Sequence, residues 1–209
     1  MTALSPGEAA RTSVLVVDGD ATSRAAVLRL LASHDLPGEA FDTGEMVLPL
    51  LASRQPACVV AEVDLAGMSG LDLQSAAVDV APHVTFVFLT RHDHVPDVVR
   101  AMKNGAIDYL PAPADEMTLV AAVRRGLRAS AEVFARRAVE MDAASRLARL
   151  SRREHEVCRF VVRGLLNKQI AAELGTSEKT VKTQRGRALR KLGVSSTAAL
   201  VDLLRLAGV

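Results

Sequence analysis

The 209-residue chain predicts an α/β domain built on a parallel sheet, a long connecting helix and a small all-α domain. Three observations carry this. Short apolar, β-rich runs alternate with helix-spaced segments as far as Pro113, the pattern of right-handed βαβ units. The stretch from Asp115 to Arg149 contains no Pro and a single Gly, Gly126, so one helix can run through it. From Leu150 onward only short helical segments follow, two of them joined by the tight turn Gly175-Thr176-Ser177.

In order along the chain, Ser13 to Val17 (SVLVV) is a strand ending in Asp18-Gly19-Asp20, and a helix from Thr22 turns Val27, Leu30 and Leu31 inward. Glu39 to Phe41 is a weak strand and Gly44 to Ala52 a helix. Ala57 to Val63 is apolar except for Glu62, as a strand covered on both faces is, and it breaks at Ala66-Gly67 and Ser69-Gly70. Leu71 to Val80 is helical, Val84 to Leu89 a buried strand ending at Thr90, and Val95 to Asn104 a helix closed by Gly105. Ile107 to Leu110 is the fifth strand. In the long helix, Leu127, Ala131, Phe134, Ala138, Met141, Ser145 and Ala148 form a 4-3 seam, either a coiled-coil interface or a face packed on a domain. Ser151 with Glu154 makes a capping box opening a helix that ends at Gly164, Lys168 to Leu174 is a second, Ser177 caps a third over Glu178 to Leu192, and Ser195 leads into a fourth with Leu200, Leu203 and Leu204 inward.

The hydrophobic content of 49% suffices for two small cores. Cys58 and Cys158 are too isolated for a disulfide or metal framework and read as buried apolar residues. MTALSPGEAARTS lacks the features of a signal peptide, and no apolar run reaches membrane length. The expectation is a cytoplasmic protein without a membrane partner, carrying a flexible tail over residues 1–12. The net charge of +2 hides an asymmetry: residues 1–113 hold seven Lys and Arg against fourteen acids, residues 114–209 nineteen against ten. An acidic control module joined to a module that binds a polyanion fits that division.

Two places draw chemistry. Ligand chemistry in a parallel sheet sits at the carboxyl ends of its strands, where Glu62 stands. In the third helix of the second domain Val181, Ala188 and Leu192 make an inner face, while Lys179, Lys182, Thr183, Arg185 and Gly186 look outward as a narrow basic surface suited to a major groove. His92 and His94 in RHDHVPD read as a solvated loop rather than metal ligands. The Gly67-Met68-Ser69-Gly70 turn lacks the Lys-Ser/Thr of a nucleotide loop, and no triad or carboxylate pair is arranged for hydrolysis. No catalytic residue, metal or cofactor is expected.

The stretch LSRREHEVCRFVVRGLLNKQIAAELGTSEKTVKTQRGRALRKLGV resembles the DNA-binding domain of NarL/FixJ and LuxR-type regulators throughout. The matching features are Arg153 to Val157, Gly164, Asn167-Lys168, Ile170-Ala171, Thr180 to Lys182, Lys191-Leu192 and Val194. The resemblance implies double-stranded DNA as partner and a homodimer, with Lys182 and Thr183 at base edges and Lys168, Lys179, Arg185 and Arg190 at phosphates. Gln184 stands where many relatives have His, and Gly186 offers no side chain for readout.

Ser13 to about Leu127 resembles a response-regulator receiver domain, which implies a flavodoxin-like, doubly wound, five-stranded parallel sheet. Such a domain takes a phosphoryl group onto an Asp with Mg²⁺ and a Lys. Here the acidic pair falls on Asp18-Gly19, and the phosphoacceptor on Glu62, where D-x-x-x-P-G-M-x-G reads E-V-D-L-A-G-M-S-G. Thr90 matches the hydroxyl, Tyr109 the aromatic, and Ala112 replaces the Lys. Asp20 reads first as a helix cap and Asp64 as a loop residue. Glu62 is either a mimic of phosphorylated Asp, bonded to Thr90, or a structural acid. The resulting expectation is a transcriptional regulator, not an enzyme, with a tail (1–12), a degenerate receiver (13–127), a linker helix (128–148) and a four-helix helix-turn-helix domain (149–209). Its control is expected to be independent of phosphorylation or constitutive. The alternatives are a phosphorylation-switched regulator of a two-component system and a receiver reused as a ligand or partner module. A sensor kinase or another regulatory protein is the further partner that the resemblance implies.

Overall fold

The computed structural model describes residues 13–52, 55–91 and 94–208; the N-terminal tail and His92 lie outside the described residues. The chain divides into two compact units, residues 1–134 and 135–209.

In the first unit, strands β1 (Ser13–Val17), β2 (Gly38–Phe41), β3 (Ala57–Ala61), β4 (Thr85–Thr90) and β5 (Asp108–Pro111) alternate with helices α1 (Ala21–Ser33), α2 (Gly44–Leu51), α3 (Gly70–Val80) and α4 (Val95–Lys103), and α5 (Glu116–Ala148) follows. The sheet order is β2-β1-β3-β4-β5 and every pairing is parallel, so all strands end at the same edge. Alternate side chains point to opposite faces of a strand, which splits the apolar runs into two cores. Leu15, Val17, Val59, Ala61, Phe86 and Phe88 pack with α2, α3 and α4 through Val47, Leu51, Leu73 and Ala101. Val14, Val16, Cys58, Val60, Val87 and Leu89 pack with α1 and α5 through Leu31, Leu119, Val120 and Val123.

Helix α5 comes unusually close to the sheet: a Cβ on Gly126 would stand 2.6 Å from Cys58 Sγ and 3.0 Å from Thr85 Oγ1. Glycine there is what lets the helix lie on the strands. Ser130 Oγ accepts the Ala57 N–H at 2.9 Å, tying the same helix to the start of β3. Burial pushes the Cys58 thiol up to about 12 and the Cys158 thiol up to about 11, so both cysteines behave as the small buried apolar residues expected.

The second unit contains the end of α5 and helices α6 (Arg152–Val162), α7 (Asn167–Glu173), α8 (Glu178–Leu192) and α9 (Thr197–Leu206). Val157, Val161, Ile170, Val181, Ala188, Leu192, Leu200, Leu203 and Leu204 form its core, joined by Ala143 and Leu147 of α5. Ser151, Ser177 and Ser196 cap α6, α8 and α9, each accepting a backbone N–H three residues on.

The seam expected along α5 is not one continuous surface. Leu127 is buried, Ala131 and Phe134 are half-buried with Phe134 set edge-on to the His83 ring at 5.1 Å, and Ala138, Met141, Ser145 and Ala148 are exposed. The second core takes Ala143 and Leu147, which are not seam positions. Each end of the helix contributes to a different core and from a different face, so the seam is a packed face only at the receiver end. Among the described residues no helix is long and apolar enough to cross a membrane.

Candidate functional sites: the sheet-edge pocket and the nucleic-acid interface

The carboxyl ends of β1, β3, β4 and β5 bring Asp18, Glu62, Thr90 and Ala112 to one edge of the sheet. Asp18 is half-buried and its carboxylate accepts the Asp20 N–H at 2.8 Å, while the Arg24 guanidinium donates to the Asp18 carbonyl. Asp20 is the N-cap of α1, accepting from Thr22 N at 2.7 Å and Ser23 N at 3.1 Å. Those two amides hold its carboxyl below the usual range, helped by the charges of Arg91 and Arg24.

Glu62 follows the last residue of β3 and is half-buried. Its Oε1 accepts the Val63 N–H at 2.7 Å and the Asp64 N–H at 3.4 Å, so the carboxylate folds back onto its own loop. That loop is fixed at both ends. Glu62 N donates to Val17 O and Gly70 N to Val63 O, each at 2.9 Å, and Glu45 of α2 accepts the Met68 N–H at 2.7 Å. Thr90 is buried at the end of β4, and its carbonyl accepts the Ala112 N–H at 2.7 Å. Tyr109 is half-buried beside Phe88, with ring centroids 5.8 Å apart. His94 sits at the N-cap of α4, 3.3 Å from Asp97. Among the described residues no three His, Cys, Asp or Glu stand together as a metal-holding group.

The second site is α8. Val181, Ala188 and Leu192 are buried, and Lys179, Thr180, Lys182, Thr183, Gly186 and Arg190 are exposed along one arc, with Lys168 exposed on α7. Arg185, expected to look outward, and the neighbouring Gln184 are not exposed. Arg185 is half-buried, and its guanidinium donates to Asn167 Oδ1 at 3.3 Å and Thr197 Oγ1 at 3.2 Å, bridging α7, α8 and α9. Position 185 is one helical turn from buried Val181, which turns the side chain toward the flank of the core. Gln184 is half-buried and its Oε1 is buried without a partner. Arg187, not singled out from the sequence, is exposed on the same arc. Its spacing from Thr183 (i+4) and to Arg190 (i+3) was the available signal.

Behind α8, Lys191 Nζ lies 2.6 Å from buried Glu154 Oε2 and 3.2 Å from the Arg149 carbonyl, while Arg146 donates to the Leu192 carbonyl at 3.3 Å. The Lys191 hydrogen bond, then the Ser151 amide, holds the Glu154 carboxyl below its usual range. A lowered folded-state pKa stabilises above the unfolded carboxylate value and is lost as the pH falls through the folded one. Glu154→Gln keeps the capping acceptor but removes the charge. It is expected to cost about 1 kcal/mol near neutrality, discounted for the partly exposed Lys191, and progressively less in acid as the pH falls through the folded-state value. Urea unfolding at neutral and acid pH checks this; a gap that persists in acid would mean that the cost is steric.

The receiver-domain model of response regulators matches residues 14–124, more than half of the chain, and the model of the LuxR family of bacterial regulatory proteins matches residues 148–204. The chain is a response regulator with a LuxR-family DNA-binding domain. This response regulator is 36% identical to nodulation protein W of Bradyrhizobium diazoefficiens over 94% of its own length and 86% of that protein's. It is 35% identical to the transcriptional regulatory protein FixJ of Azorhizobium caulinodans, over 94% and 93%. Among solved structures, that of the response regulator StyR superposes with a TM-score of 0.84 at 38% identity, covering 93% of this regulator and 98% of StyR. The regulator is thus a transcriptional regulator of the two-component type: a flavodoxin-like receiver, a long helix and a helix-turn-helix DNA-binding unit.

Proposed function

We propose that the receiver of this regulator does not accept a phosphoryl group, so that DNA binding is controlled independently of phosphorylation. The observation that carries the reading is the engagement of Glu62: a carboxylate held by the amides of its own loop is not poised as a nucleophile.

Phosphoryl transfer to a carboxylate needs a divalent cation on hard oxygen donors and a cationic side chain against the phosphate. The donors present do not fit such an ion. Asp18 already accepts the Asp20 amide through one oxygen, Asp20 caps α1 through one oxygen, and position 19, where the family's second acid would stand, is a glycine with nothing within 4 Å of where a Cβ would stand. Ala112 supplies no charge where the family has Lys. Glu62 carries its carboxylate one methylene further than the family's Asp. Thr90 and Tyr109 remain as parts of the frame.

On the DNA side, Lys182 and Thr183 are assigned to base edges and Lys168, Lys179 and Arg190 to phosphates, with Arg187 added to that surface. Arg185 is assigned to fixing α8 against α7 and α9 instead of gripping phosphate. A homodimer on a two-fold site fits this class of reader. Incubation of the full-length protein with Mg²⁺ and a small phosphoryl donor, followed by intact mass, tests the reading. No adduct is expected for the wild type or for Glu62→Asp, because the cation donors and the Lys stay missing. A stoichiometric phosphoryl adduct on the wild type would overturn the proposal.

A further inference from the structure

We propose that Thr183 and Gly186 form a notch on α8 that reads the C5-methyl group of a thymine, a reading that rests on the assignment of α8 to base edges in the major groove.

Gly186 is exposed in the interior of the helix Glu178–Leu192. Glycine there is less favourable than alanine, so its presence calls for a reason. The chain itself supplies none. Positive φ values occur in this unit at Gly164, Gly175, Gly193 and Gly208 but not at Gly186, so its backbone suits any residue. A Cβ built on Gly186 would meet nothing within 4 Å among the described residues, so packing does not exclude a side chain either. What remains is the outer side of α8, where DNA is bound.

Thr183, one turn earlier on the same exposed arc, supplies the wall of the notch. Its hydroxyl donates to the Lys179 carbonyl at 2.9 Å. The proton is thus held by the helix itself, and the donor that Thr183 could have shown to a base is spent, leaving its methyl group as the contact. Lys182 and Arg190, four residues before and after Gly186, are exposed and bound the gap along the helix.

The backbone N–H and C=O groups of a helix interior bond along the helix, so the floor of the gap has no donor or acceptor to spare. A phosphate oxygen or a polar base edge would meet carbon there. A small apolar group fits instead, and in the major groove that group is the thymine C5-methyl. The absent side chain is then itself the means of readout: it makes room for a methyl that Thr183 contacts from beside it.

The test uses the full-length protein. Selection from a randomised duplex pool gives its preferred sequence, and deoxyuridine then replaces each thymine singly, which removes the methyl and nothing else. At one thymine the affinity should fall about fourfold, the effect of one buried methyl. Gly186→Ala should reverse the preference there, binding the uracil duplex more tightly than the thymine duplex, because the new Cβ takes the space of the methyl. The same variant should raise the unfolding midpoint of the DNA-binding unit. Thr183→Ser should cut the uracil penalty to below about twofold, whereas Thr183→Val, which keeps a methyl, should retain it. Equal affinity for thymine and uracil at every position overturns the proposal. So does a Gly186→Ala variant that keeps the wild-type preference or loses affinity equally on both duplexes, and so does a Thr183→Ser variant that keeps the full penalty. Lys182→Ala separates failure of the notch from failure of the assignment beneath it. A relaxed sequence preference in that variant, with no uracil penalty in the wild type, would keep α8 as the reader and remove the notch; an unchanged preference would remove both.

Discussion

Gly70→Ala is expected to destabilise the receiver by about 3 kcal/mol, the largest effect of any single methyl group considered for that unit. A Cβ at position 70 would overlap the Glu62 carbonyl oxygen and stand 3.2 Å from its carbon and 3.3 Å from Phe88 Cε1. The obstacle is backbone, and no rotamer change relieves it. Gly70 N also donates to Val63 O, so the helix start cannot withdraw without breaking the bond that closes the Glu62 loop. Thermal unfolding of the full-length protein should show a lowered midpoint for the receiver, with the DNA-binding unit unaffected. An unchanged midpoint would mean that the loop yields easily and that Glu62 is not held as described.

Replacing Lys168, Lys179 and Arg190 together by Ala should reduce affinity for a generic duplex on the order of a hundredfold at low salt. It should also reduce the slope of log K against log salt by about 3, close to one for each phosphate no longer neutralised. Lys182→Ala should act differently, costing about 1–3 kcal/mol on the preferred sequence and relaxing the preference between sequences. Arg185→Ala separates positioning from contact: it breaks the bridge to Asn167 and Thr197, so affinity and unit stability should fall together while the salt slope stays as in the wild type. A slope that falls by about one in Arg185→Ala would return that residue to the phosphate-binding set. Binding curves at several salt concentrations decide between these outcomes.

The sheet was legible because strands buried on both faces leave continuous apolar runs such as Ala57 to Ala61, and the output helices because Ser151 and Ser177 stand where caps are needed. Candidate positions at strand ends followed from the same pattern. The destination of the Glu62 carboxylate did not, since it depends on how residues 63 and 64 turn their amides, a property of the closed loop. The tie from Glu45 to Met68 joins residues 23 apart, and no local spacing announces it. Arg185 looked outward when positions were sorted only by polarity; its phase relative to Val181 carried the correction. Along α5 the seam positions are buried only at the receiver end, because one helix serves two cores with different demands.

That shared helix has a bearing on how such a protein can be taken apart or recombined. The receiver core closes over Leu119, Val120, Val123 and Leu127, and the DNA-binding core over Ala143 and Leu147. A cut at the last residue of α5 would leave the output unit with an open cleft where Ala143 and Leu147 had been, and would remove the Arg146 bond to Leu192. The natural seam for exchanging one input module for another therefore lies inside an unbroken helix, over residues 135–142, where the side chains belong to neither interior.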